Sequence, residues 1–163
     1  PEAGVQMFLS RMKKDARCYL FYRDDHMAGF AWVSSRRNIR EDNDSYRIHC
    51  GENGAYIFDT YLHPSCRGKG LYPVLLAQVQ EKYAEEGIQE FYLTINAINE
   101  QSLKAHEKCG VMKRETVIYV CLLGVRVHFA FPVKGKMYMQ VDPPGSTREF
   151  LSRITEDYPD HPK

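Results

Sequence analysis

Residues 61–72 read Tyr61-Leu62-His63-Pro64-Ser65-Cys66-Arg67-Gly68-Lys69-Gly70-Leu71-Tyr72, and they join a strand to a helix. Ala55 to Leu62 has the aromatic and β-branched composition of a strand. Tyr72, Leu75, Leu76, Val79 and Tyr83 recur at helical spacing, Pro73 suits a first turn, and Gly87 supplies the stop. A strand that runs through Gly-x-Gly directly into a helix presents backbone N–H groups at the positive helix end, where phosphate is the natural ligand. Gly68 and Gly70 let a pyrophosphate approach without a Cβ in the way, and Arg67 and Lys69 add charge. The alternative is an ordinary tight connection with solvated basic residues, because Gly-x-Gly is a short motif. Two better-known phosphate loops are excluded. Lys69 precedes Gly70 rather than Ser or Thr, so there is no P-loop, and Pro73 stands where Gly-x-Gly-x-x-Gly needs its last glycine.

Outward from this turn, Ile88 to Ile95 reads as the next strand, and Asn99 as the N-cap of a short helix, Glu100 to Cys109, ended by Gly110. The middle of the chain is therefore strand, helix, strand, helix. Towards the start, Val5, Phe8, Leu9, Met12 and Ala16 form the apolar face of a helix ending at Arg17. Two strands, Cys18 to Arg23 and Met27 to Ser34, flank Asp24-Asp25-His26 as a hairpin, and Arg36 to Gly54 is a long polar loop. Towards the end, Met112 to Leu123 and Val125 to Val133 flank Gly124 as a second hairpin, and Ser146-Thr147-Arg148-Glu149 has the form of a capping box.

With 163 residues, 44% hydrophobic and 26% charged, the chain is expected to fold as one domain over 1–163 without staples. Its 22 basic and 21 acidic residues leave a net charge of +1, so no global field favours nucleic acid or an anionic membrane. No apolar run approaches the roughly 18 to 20 residues of a membrane helix. Five cysteines, an odd number in a chain that does not need bridges, point to reduced thiols and a cytoplasmic location. The chain opens at Pro1 with a helix under way, which suggests a fragment with a further domain upstream.

The stretch from Tyr61 to Leu71 resembles the strand and pyrophosphate turn of the GNAT superfamily of N-acetyltransferases, written Arg/Gln-x-x-Gly-x-Gly/Ala. Arg67 matches its first position and Gly70 its central glycine; Tyr72 departs from its last. A second, independent match runs from Asn99-Glu100-Gln101-Ser102 to Cys109-Gly110-Val111 and resembles the family's Asn-x-x-Ala/Ser helix ending in Gly-Phe. The resemblance implies an α/β fold: a mixed, mostly antiparallel twisted sheet with helices on both faces, splayed where the strand ending at Leu62 parts from that ending at Ile95. The family's first strand is the one missing from this chain.

The resemblance further implies that a primary amine attacks the thioester of acetyl-CoA directly, with no metal. Leu62 would offer backbone hydrogen bonds to the pantetheine arm, and amides of Arg67, Gly68, Lys69, Gly70, Leu71 and Tyr72 would hold the pyrophosphate. Asn99 and Ser102 match helix positions that line the cofactor. Where the family often has a Tyr to protonate the departing thiolate, this chain has His106, whose imidazole can donate near neutral pH or be structural. Asp59, the lone carboxylate of its strand, is a candidate base or a bulge residue, with Tyr56 and a water chain as fallback. Thr94 stands where some relatives keep a Glu.

Two rival readings remain open in the sequence. His63, Cys66, His106 and Cys109 form two His-x-x-Cys pairs that could close a zinc site, and the fold could serve as a non-catalytic acetyl-CoA-binding domain. For the acceptor, the loop from Arg36 to Gly54 mixes Arg36, Arg37, Arg40 and Arg47 with Glu41, Asp42, Asp44 and Glu52, beside Tyr46 and His49. Such a mixture suits a small polar amine such as an amino sugar, with a protein or peptide amine as the alternative.

Overall fold

The computed structural model describes residues 5, 8–9, 11–12, 16–40 and 46–142. They belong to two compact units, one within Arg11–Ile39 and His49–Val111, the other within Pro1–Ser10, Arg40–Ile48 and the stretch from Met112 onward.

In the first unit, β1 (Ala16–Arg23) and β2 (His26–Ser34) form an antiparallel hairpin. Its turn is Asp24 and Asp25, both at positive φ, the backbone twist that matches two right-twisted strands. β2 pairs antiparallel with β5 (Gly54–Leu62), and β5 pairs in parallel with β6 (Glu90–Tyr92), giving the order β1-β2-β5-β6. Between β5 and β6 the chain crosses over through α1 (Leu71–Ala84). The helix's apolar stripe, Leu75, Leu76, Val79 and Tyr83, packs on Ala31 and Val33 of β2 and Ala55 and Ile57 of β5, with Ile88 closing the cluster. Each such aliphatic side chain taken fully from water contributes roughly 1.5–3 kcal/mol, so this layer fixes the helix on the sheet. Burial pushes the Tyr83 phenol well above its ordinary range, and its hydroxyl points to the Val33 carbonyl at 3.4 Å. A second helix, α2 (Glu100–Lys108), follows β6.

In the second unit, β7 (Glu115–Leu122), β8 (Val125–Pro132) and β9 (Tyr138–Asp142) form an antiparallel sheet in that order. Leu123 and Gly124, both at positive φ, make the β7–β8 turn, and Val133 N–H donates to Arg114 O at 2.8 Å across its open end. His128 and Ala130 are fully buried.

This is the expected mixed sheet with helices, and four details differ. Ala16 and Arg17 are the start of β1, because Ala16 pairs with Ser34 and is buried there; among the described residues before them, Val5, Phe8, Leu9, Arg11 and Met12 are helical. The polar stretch from Arg36 to Gly54 contains β3 (Asn38–Arg40) and β4 (Arg47–His49), three-residue strands too short for an alternating pattern. The strand expected from Ile88 to Ile95 shortens to β6, since Ile88 N–H is spent on Tyr83 O at the end of α1. β9 had no clear signal in its composition. The capping box at Ser146 lies outside the described residues.

Candidate active site

β5 has two halves. Gly54, Ala55 and Tyr56 pair with Glu90, Phe91 and Tyr92 of β6, and beyond Tyr56 that ladder ends while β5 continues to Leu62. The sheet therefore opens earlier than a parting of Leu62 from Ile95 would place it. On its other side β5 stays paired to β2, but the register slips between Phe30 and Trp32: Phe30 faces Tyr61 and Trp32 faces Phe58, so Ala31 is opposed by both Asp59 and Thr60. Asp59 adopts φ +50, and the extra residue of this bulge keeps Ile57 and Thr60 directed towards the helices. His63 N–H donates to Ala28 O at 2.7 Å, and alternation along an antiparallel ladder then turns the N–H and C=O of Leu62 away from β2, towards the opening.

After Leu62 a single 3₁₀ turn, Pro64–Cys66, is capped by the His63 ring, whose Nδ1 accepts from Ser65 N–H. Gly68 and Gly70 follow at φ +71 and +70, a conformation that costs other residues strain, and a Cβ at either would meet nothing within 4 Å. Gly70 is the N-cap of α1 and brings no side chain to it, and Pro73 has no N–H. The N–H groups of Gly70, Leu71 and Tyr72 thus lack intrahelical partners and border open space, which fits an anion such as pyrophosphate. Lys69 is exposed beside them. Two expected contributors are placed differently. Arg67 N–H is held by Pro64 O at 3.2 Å, and its Nε donates to Leu62 O at 2.9 Å while the guanidinium lies 5.8 Å from the Tyr61 ring centre. Arg67 therefore clamps the strand end, and the Leu62 carbonyl is engaged by it.

Asn99 caps α2, its Oδ1 accepting from Ser102 N–H at 3.1 Å. One turn on, His106 is buried at 6% exposure. Its Nδ1 lies 2.8 Å from the Ser102 carbonyl, which can only accept, so Nδ1 carries the hydrogen and Nε2 faces the Tyr72 hydroxyl at 2.8 Å. The Tyr72 hydroxyl is 3.0 Å from Thr60 Oγ1. A chain of polar groups thus runs from Thr60 on the unpaired half of β5, through Tyr72 in the first turn of α1, to His106 and Ser102 on α2. Burial raises the Tyr72 phenol above its usual range, so it keeps its proton at neutral pH.

Asp59 is ion-paired with Arg11, whose guanidinium also lies 5.2 Å from the Trp32 ring centre and 5.3 Å from that of Phe58. Tyr56, buried, shares a hydrogen bond of 2.6 Å with Thr94. The zinc alternative does not assemble: among the described residues no three His, Cys, Asp or Glu side chains gather to hold a metal. Cys109 instead donates to Ala105 O at 3.1 Å. Sequence reasoning missed Thr60 and Arg11, and gave Tyr72 a place in the apolar stripe and a backbone amide but no role for its hydroxyl. Its departure from a small residue, with a His in place of the family's Tyr, was the available signal.

The glycine turn, the opening beside β5 and the capped second helix have the layout of the acyl-CoA N-acyltransferase fold. The family model for the acetyltransferase (GNAT) family matches residues 2–111, and the chain belongs to that family. No curated protein sequence matches it. Among solved structures, the aminoglycoside N-acetyltransferase AAC(6')-Iy in complex with CoA is 20% identical, with a TM-score of 0.54 over 75% of this chain and 95% of that one. The ribosomal-protein-alanine N-acetyltransferase from Brucella melitensis is 19% identical, with a TM-score of 0.51 over 72% of this chain and 66% of that one. The chain spans 62% of the length of YycN from Bacillus subtilis, at 22% identity over 66% of this chain and a TM-score of 0.49. These likenesses are of fold. No helix among the described residues is long and apolar enough to cross a membrane.

Proposed function

We propose that the chain, acting as one domain, transfers the acetyl group of acetyl-CoA to a small polar primary amine, such as an amino sugar, in the cytoplasm. The observation that carries the transfer is the turn at Gly68 and Gly70, whose left-handed backbone leaves the N-terminus of α1 uncapped and open next to the unpaired half of β5. Gly68, Lys69, Gly70, Leu71 and Tyr72 would hold the pyrophosphate through backbone amides, while Arg67 and Leu62 form the strand end that the pantetheine arm passes. Asn99 and Ser102 would line the arm from α2. Asp59, at the bulge of β5 and ion-paired with Arg11, is the proton acceptor of this reading. The proton for the departing thiolate comes from the couple of His106 and the Tyr72 hydroxyl it faces.

The acceptor reading rests on the mixed charges and aromatics between Arg36 and Gly54, which suit a hydroxyl-rich amine better than the acidic groove expected for lysine-rich tails. The structural neighbours include enzymes named for aminoglycosides and for a ribosomal protein, so fold alone does not choose. An assay of coenzyme A release over a panel of amines is expected to favour amino sugars and nucleotide amino sugars; a clear preference for peptide amines would overturn the choice of acceptor. Tight coenzyme A binding without turnover on the whole panel would favour a non-catalytic module instead. In the same assay Asp59→Asn is expected to depress kcat and alter its acidic limb, and a wild-type profile would remove Asp59 from the mechanism.

A further inference from the structure

We propose that the group that gives its proton to the departing sulfur is the Tyr72 hydroxyl, with His106 behind it as the residue that positions and reloads it. This rests on the acetyltransferase reading above and assigns its general acid to one side chain of the couple. His106 is buried, and its Nδ1 hydrogen is committed to the Ser102 carbonyl, so its remaining nitrogen faces the Tyr72 oxygen rather than the opening. Tyr72 is only half-buried, and its hydroxyl also reaches Thr60 on the unpaired half of β5. It is therefore the exposed end of the couple. The T-shaped contact of the two rings, 5.1 Å between centres, holds them in register. The other polar neighbours are Ser102 on α2 and Cys109 at its C-terminal cap, and burial keeps the Cys109 thiol neutral by raising it.

The direction of the chain depends on His106. With a neutral ring, Nε2 accepts and the Tyr72 hydrogen points inward. With the imidazolium, Nε2 donates to the Tyr72 oxygen and the hydroxyl hydrogen turns outward. In the reaction the amine nitrogen attacks the thioester carbonyl carbon, the C–N bond forms and the C–S bond breaks, and sulfur leaves with the electron pair. Sulfur takes the Tyr72 proton, the phenolate oxygen takes the Nε2 proton of His106, the proton lost by the amine nitrogen goes to Asp59, and His106 is reloaded from solvent between turnovers while Asp59 releases its proton there.

Tyr72→Phe keeps the ring and removes the proton. It is expected to lower kcat about 100-fold while coenzyme A affinity, measured by calorimetry, stays within about twofold. The double variant Tyr72→Phe/His106→Phe is expected to be no slower than Tyr72→Phe, because the two act in series. A wild-type kcat in Tyr72→Phe, or losses that multiply in the double variant, would overturn the assignment while leaving the acetyltransferase reading intact. Should Tyr72→Phe fail to fold, fluorotyrosine at position 72 replaces it. Its more acidic phenol is expected to move the basic limb of kcat to lower pH, and an unmoved limb overturns the role. Failure of wild-type protein to bind coenzyme A, or binding without any turnover, would overturn both readings.

Discussion

The two described helices of the first unit begin in opposite ways. α2 starts at Asn99, whose own side chain returns to the Ser102 N–H and satisfies the first turn. α1 starts at Gly70, in a left-handed conformation, with no side chain to return and with Pro73 removing one N–H from the turn. Both ends carry the same partial positive charge from aligned peptide dipoles, so the difference lies in what is left to neutralise it. A capped end contributes to folding; an end left bare contributes to binding, at some cost in stability to the apo protein. The first helix follows the stretch of β5 that has parted from β6, and the second follows β6.

The largest effect is expected from Gly70→Glu, which places a carboxylate among the free amides and a Cβ in a conformation that disfavours it. Coenzyme A affinity should fall about 100-fold, roughly 2.7 kcal/mol, by calorimetry. An unchanged affinity would mean that the bare end is not the pyrophosphate site. Gly70→Asn gives α1 the kind of cap that α2 has, with a residue that tolerates positive φ. Affinity is expected to drop about tenfold as the new side chain competes for the amides, with folding stability held or slightly raised. If affinity rises instead, the contrast between the two ends is not one of occupancy. The smallest effect is expected for Asn99→Ala, a loss of about 1 kcal/mol in chemical denaturation. A variant as stable as wild type would show that the cap hydrogen bond contributes nothing net.

How much of this was readable beforehand varies with the range of the interaction. Asn99 as a cap, Gly87 and Gly110 as helix ends, and the turns at Asp24-Asp25 and Leu123-Gly124 all follow from conformational preferences within a few residues. So does the turn at Gly68 and Gly70. The fates of Ala16 and Ile88 did not, because each is decided by a partner far along the chain, β2 for one and the end of α1 for the other. Asp59 was visible as an oddity, yet the bulge that explains it exists only because β2 and β5 pair out of step at Ala31.

The sequence by itself determined where the chain turns and which face of α1 is apolar, since steric limits at Gly and Pro and a 3.6-residue period are local properties. Only the tertiary structure decided that Arg67 folds back onto Leu62, that Arg11 meets Asp59 across 48 residues, and that Thr60, Tyr72 and His106 share one hydrogen-bonded chain. Hydroxyl and imidazole groups are acceptors or donors according to what faces them, and what faces them is set by the packing of α1 and α2 against the open half of β5.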